Sequence, residues 1–179
     1  MKSVVIINTF KSIIFDESKN PIVICDIDHT FIRPKSDYSE CYKKLKSYKK
    51  NPFELHKMVL YMLKYSMNKG LVKQTDKEGF LYMLERIKEC GGKLIFLTAR
   101  SSVYHQKTIQ HLTTAGLQNP QQFEIHYTGN EITKGDYMKK FTLLNGYDQH
   151  IFIDDYPEFL ESAFKIYPNM DCYLFKYNR

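Results

Sequence analysis

Ile22-Val23-Ile24-Cys25-Asp26-Ile27-Asp28-His29-Thr30 is the stretch whose reading decides the fold. Pro21 precedes four apolar or near-apolar residues, the pattern of a short buried strand. The strand runs straight into Asp26, Asp28 and Thr30. Side chains two apart on an extended chain point the same way. All three polar groups are therefore expected to gather at the strand's carboxyl end. In an open parallel α/β sheet, that edge is where ligands bind. Two carboxylates delivered there are costly unless a cation or a reaction uses them.

Further strands appear downstream. Residues 93–97 (Lys-Leu-Ile-Phe-Leu) read as strand two and end at Thr98-Ala99-Arg100. Before them, Thr75 and Glu78 have capping-box spacing, and a helix from there is expected to stop at Gly91-Gly92. A helix over about 102–115 ends at Gly116, and strand three follows at 123–127. Thr133 opens the next helix, with Asp136 at its third position and an end near Asn145-Gly146. Strand four is 150–153, running into Asp154-Asp155. Asp155 and Glu158 are expected to cap a helix that Pro157 favours in its first turn. Strand five is 172–176. Strands alternating with helices predict βαβ units around a parallel sheet, with helices on both faces. Asp26/Asp28, Thr98/Arg100 and Asp154/Asp155 each follow a strand directly, and Lys134 begins a helix. All are expected on one edge of the sheet, and this convergence is worth more than any single junction.

Two segments lie outside that alternation. Residues 3–15 are apolar at 4, 7, 10, 13 and 14, close to helical spacing, although their β-branched content also suits a strand. They are expected to pack on the sheet ahead of strand one. Residues 35–72 read as a small helical insertion within a single 1–179 domain, without a strand of its own. Leu55, Met58, Val59, Met62 and Leu63 recur at helical steps there. Lys43, Lys44, Lys46, Lys49 and Lys50 supply much of the net charge of +6. Such a run is the composition of a solvated helix, and it also attracts phosphate-bearing partners.

A chain of 179 residues, 43% hydrophobic, fits one domain with a real core and excludes a disordered protein. No apolar run approaches the roughly 20 residues that span a bilayer, so no membrane association is expected. The apolar start is short, meets Lys11, and lacks a small-residue cleavage site; it is read as part of the fold. Cys25, Cys41, Cys90 and Cys172 show no paired spacing, which suits reduced thiols in the cytoplasm.

Four motifs taken together resemble those of the haloacid dehalogenase (HAD) superfamily. They are Asp26-Ile27-Asp28-His29-Thr30, then Thr98 after Leu-Ile-Phe-Leu, then Lys134 at a helix start, then Asp154-Asp155 after Ile-Phe-Ile. Order and spacing match over residues 21–176. The resemblance implies a three-layer αβα Rossmann-like core with sheet order 5-4-1-2-3. It also implies a Mg²⁺-dependent phosphatase acting through an aspartyl-phosphate. Asp26 would attack phosphorus, and Asp28 would serve as general acid and base. Thr98 and Lys134 would stabilise the phosphoryl charge. Asp26, Asp154, Asp155 and the backbone carbonyl of Asp28 are the candidate metal ligands, and Thr30 and Arg100 the candidate substrate-binding residues.

The residue types suit that chemistry without the family. A divalent cation relieves the repulsion between a phosphate ester and an incoming carboxylate, and oxygen ligands suit Mg²⁺. Arg100 could grip a second substrate anion or pair with an acid. Asp155 fits helix capping as well as metal binding. The expected partner is a phosphorylated substrate, either a small molecule or a nucleotide or nucleic acid end. The tyrosines of the insertion would allow base stacking. A non-catalytic phospholigand binder on the same fold is the contrasting reading.

Overall fold

The computed structural model describes residues 4–34, 72–129 and 131–177. Its centre is a six-stranded sheet, parallel throughout, made of β1 (Val5–Ile7), β2 (Pro21–Cys25), β5 (Lys93–Thr98), β6 (Glu124–Tyr127), β7 (Gln149–Asp154) and β8 (Asp171–Phe175). The order across the sheet is β1-β8-β7-β2-β5-β6. For the five strands read from the sequence this is the expected 5-4-1-2-3. The sixth strand, β1, comes from the amino-terminal segment. Its helical spacing misleads: Val5 and Ile6 lie exposed on an edge strand, Ile7 turns inward, and a 3-10 turn at Phe10–Ser12 buries Phe10.

All five residues of β2 are buried, because both faces of the sheet are covered. The pleat sorts them. Val23 and Cys25 join Phe96, Ile151, Ile153 and Phe175 in one core. Phe10, Phe80, Met83 and Leu112 close that core from outside, with Phe80 and Met83 on α1 (Lys77–Glu89) and Leu112 on α2 (His105–Thr114). Ile22 and Ile24 face the other way, with Ile95, Leu97 and Phe152. There Met138 of α3 (Lys134–Lys140) and Leu160 and Ala163 of α4 (Pro157–Ile166) complete the core. The result is helix, sheet, helix: a three-layer α/β sandwich.

Helix α1 ends as expected. Gly91 takes φ +65°, its N–H reaches the Lys88 carbonyl, and the Gly92 N–H reaches that of Ile87. This is a Schellman stop, which a residue free of the Cβ penalty makes easy. Its start differs from the expected capping box. Asp76, not Thr75, is the N-cap; its carboxylate accepts from the Gly79 N–H and also from the Thr9 hydroxyl and the Phe10 N–H. Thr75 instead donates its hydroxyl to the Thr30 carbonyl at 2.5 Å. The chain is fixed there by tertiary bonds that local spacing does not encode.

The insertion lies outside the described residues from 35 to 71, along with its lysine run and apolar stripe. Its flanks are described, and they are strands. β3 (Ile32–Pro34) and β4 (Val72–Gln74) pair antiparallel, with Pro34 opposite Val72. Val72 therefore belongs to a strand, not to the end of a helical segment. Three-residue strands are too short for period-2 alternation to be read.

Helices α3 and α4 approach closely at Gly135. A Cβ there would sit 2.2 Å from the Ser162 backbone oxygen. Gly135→Ala is expected to cost about 1–3 kcal/mol in urea unfolding, the range for overpacking. Because Lys134 is the neighbouring residue, the variant should also lose activity beyond what its unfolded fraction explains.

Candidate active site

The central strands β7, β2 and β5 end side by side, and their polar termini form the site. Register places Cys25 opposite both Ile153 and Phe96. Asp26 follows immediately, its N–H bonded to the Ile153 carbonyl at 2.9 Å. Asp154 closes β7 and Thr98 closes β5. Lys134, the first residue of α3, reaches across to them. Its Nζ donates to Asp26 Oδ1 at 2.5 Å and to Asp154 Oδ2 at 2.6 Å. Its side chain is 0% exposed, with those of Asp26 and Asp154 at 7% and 1%. The α3 start that delivers it is the expected one: Thr133 caps it by accepting the Asp136 N–H.

Asp155 is half-buried beside this pair, and the carboxylates of Asp26, Asp154 and Asp155 offer oxygens within 4.8 Å of one another. Capping does not account for Asp155. The N-cap of α4 is Tyr156, without a side-chain bond, and Pro157 opens the helix. The Tyr156 N–H instead bonds Asp154 Oδ1 at 2.9 Å, holding that carboxylate from behind.

The extended alternation expected for Asp26, Asp28 and Thr30 does not persist. β2 ends at Cys25, and the chain turns at once: Phe31 and Ile32 N–H groups both bond the Ile27 carbonyl, and His29 takes φ +63°. The three side chains take different partners. Asp26 meets Lys134. Asp28 meets Arg100, which grips it with two parallel bonds, Nε to Oδ2 at 2.7 Å and a terminal nitrogen to Oδ1 at 2.6 Å. Thr30 is fully buried, and its hydroxyl lies 3.5 Å from Asp155 Oδ1. Thr98 is buried at the rim; its hydroxyl accepts the Arg100 N–H at 3.2 Å, which leaves the hydroxyl proton to donate.

Charge is crowded here. Burial pushes the Asp26 carboxyl up to about 7 against the pull of Lys134, with Asp154 adding repulsion. Burial raises Asp154 likewise. Burial, then repulsion from Asp26, takes Asp155 to about 6. Burial opposes the Lys134 ammonium, yet the two acids hold its pKa above the ordinary value. Asp28 goes the other way: burial would raise it, and the Arg100 pair more than offsets that. Elsewhere, burial pushes the Cys25 thiol well up, so that residue is inert packing.

Once all three are ionised, the carboxylates outnumber the one ammonium by two charges in a confined space. An all-oxygen donor set with that surplus fits a hard divalent cation. Sequence reasoning missed Thr108 and His111, buried on α2 behind Arg100, because neither has ligand spacing or a motif.

Residues 2–143 match the family described as HAD superfamily, subfamily IIIB (acid phosphatase). The chain belongs to this family. It is therefore a HAD-type phosphatase by family. The matched span covers Asp26–Thr30, Thr98 and Lys134. It stops short of Asp154 and Asp155, which the geometry brings beside Asp26 and Lys134. A search of curated proteins finds no match to the chain. Among the described residues no helix is long and apolar enough to cross a membrane.

Proposed function

We propose that the protein hydrolyses phosphoric monoesters with the help of Mg²⁺, by way of an aspartyl-phosphate on Asp26. The observation that carries this reading is the meeting of Asp26, Asp154 and Lys134 at 2.5 and 2.6 Å where three neighbouring strands end. Asp26, Asp154, Asp155 and the Asp28 carbonyl would hold the metal, which when bound neutralises phosphoryl charge and relieves the crowded acids.

The chain's own groups supply the rest. Asp26 attacks phosphorus as the bond to the ester oxygen breaks, and that oxygen keeps the electron pair and takes a proton from Asp28, the general acid of this step. The Thr98 hydroxyl and the Lys134 ammonium stabilise the phosphoryl oxygens as their charge grows. Lys134 also orients the nucleophile, since it is already bonded to it. Asp28 then takes a proton from the water that cleaves the aspartyl-phosphate.

Phosphate release from an aryl phosphate is the direct test: turnover with Mg²⁺, and little after chelation. A folded protein that turns over equally without metal would remove the metal from the scheme. Binding of Mg²⁺ should also depend on pH in a defined window. Carboxyls raised to about 7 and about 6 are protonated below those values and must ionise to ligate. Affinity is therefore expected to rise as pH increases from roughly 5 to 8 and then level off. Calorimetry in buffers of different ionisation enthalpy should show proton release on binding at pH 6 and little at pH 8.5. An affinity that is flat across the window would contradict the assignment of these acids.

A further inference from the structure

Arg100 was a candidate for gripping substrate, yet its guanidinium is committed inward. Nε and one terminal nitrogen bind the two oxygens of Asp28. The other terminal nitrogen donates to the Thr108 hydroxyl at 3.0 Å. The nitrogen on Asp28 Oδ1 also lies 3.3 Å from His111 Nδ1. Thr108 and His111 are three apart on α2 and so share a face. They are 0% and 4% exposed, while the Asp28 side chain is 47% exposed. The network thus runs from a rigid, buried helix face outward to a half-open carboxylate.

We propose that Thr108 and His111 are positioning residues: they fix Arg100, which holds the Asp28 carboxylate in the plane needed to take a proton from the hydrolytic water. The inference rests on the phosphatase reading above. Each carboxylate oxygen accepting from Arg100 keeps a second lone pair for that proton. In the step concerned, the water oxygen bonds to phosphorus, its proton passes to Asp28, and the bond from phosphorus to the Asp26 oxygen breaks. The electron pair returns to the Asp26 carboxylate. For Nδ1 of His111 to accept from Arg100, its ring proton sits on Nε2. A planar fork held at three nitrogens cannot swing toward solvent as a lone surface arginine can.

This role has a kinetic signature. Nitrophenyl phosphate has a good leaving group and needs no proton from Asp28 in the first step. Loosening Asp28 should slow only breakdown of the aspartyl-phosphate. For Thr108→Val and His111→Leu, assayed with Mg²⁺, kcat is expected to fall roughly 10- to 100-fold, part of what a general base contributes. KM should fall in parallel, kcat/KM should stay within about threefold of wild type, and a nitrophenol burst stoichiometric with enzyme should appear. Thr108→Ser keeps the hydroxyl, and His111→Asn keeps an acceptor near the Nδ1 position; both should restore most of kcat. A merely structural defect would lower kcat at unchanged KM, by loss of active enzyme, and the proposal would then fail. It would fail equally if kcat were untouched or if the conservative variants were no better. Wild type without turnover on either aryl or alkyl phosphates would overturn the phosphatase reading itself, and the proposal with it.

Discussion

Asp26→Asn is expected to abolish phosphate release, by on the order of 10⁴-fold or more, the scale seen when a covalent nucleophile is removed. The fold should not suffer. Asn keeps an oxygen for Lys134 Nζ, now bonded to Asp26 Oδ1 at 2.5 Å. The native carboxyl is pushed up to about 7, chiefly by burial, so its charged form is disfavoured in the folded chain. A group whose pKa is raised on folding binds more protons folded than unfolded. Its contribution to stability therefore falls as pH rises from the unfolded value toward about 7. A neutral isostere escapes that loss. Without metal above pH 7, the Asp26→Asn protein should melt at or above the wild-type Tm while being inactive. A variant that is inactive because it melts lower would leave the nucleophile unassigned.

Lys134→Met should do the reverse and damage the fold along with the chemistry. The ammonium is 0% exposed and bonds two buried acids. Removing one partner of a buried ion pair leaves uncompensated charge, at about 3–5 kcal/mol. Methionine fills a similar volume, so cavity formation is a minor part. The penalty must then depend on pH. It should grow as pH rises past about 7, where the native Asp26 carboxyl ionises against Lys134, and should shrink toward pH 5, where that carboxyl is protonated with or without the ammonium. Urea unfolding at pH 5 and pH 8 measures this. Mg²⁺ should recover part of the lost stability by mass action on the same acids. A loss of stability that does not vary with pH would mean that packing, not charge, is what Lys134 contributes.

The parallel core was legible because its strands are short apolar runs ending in polar residues, and its helices stop at Gly91 and Gly116. These are local signals: one buried run, or one glycine after the last turn. The placing of Asp26, Thr98, Lys134 and Asp154 at one end of the sheet followed from strand order. What did not show was anything set by a single turn or by a distant partner. The His29 turn pairs Asp28 with Arg100, 72 positions on, a partner that alternation along the strand does not suggest. Asp76 outcompetes Thr75 as a cap because Thr9 and Phe10 reach it from across the core. Thr108 and His111 look like ordinary helix residues until the fold brings Arg100 against them.

The pairing of Pro34 with Val72 has one more consequence. The chain leaves the core and re-enters it one strand spacing away, about 5 Å. Whatever length of polypeptide lies between those two residues, the core sees only a closed gate. Lengthening such an excursion adds closure entropy slowly, at about 0.6 kcal/mol for each doubling. The pairing that holds the two ends is therefore indifferent to the length of chain between them. Selection, or a designer, can lengthen or shorten that excursion while the strands that carry Asp26, Thr98 and Asp154 stay as they are.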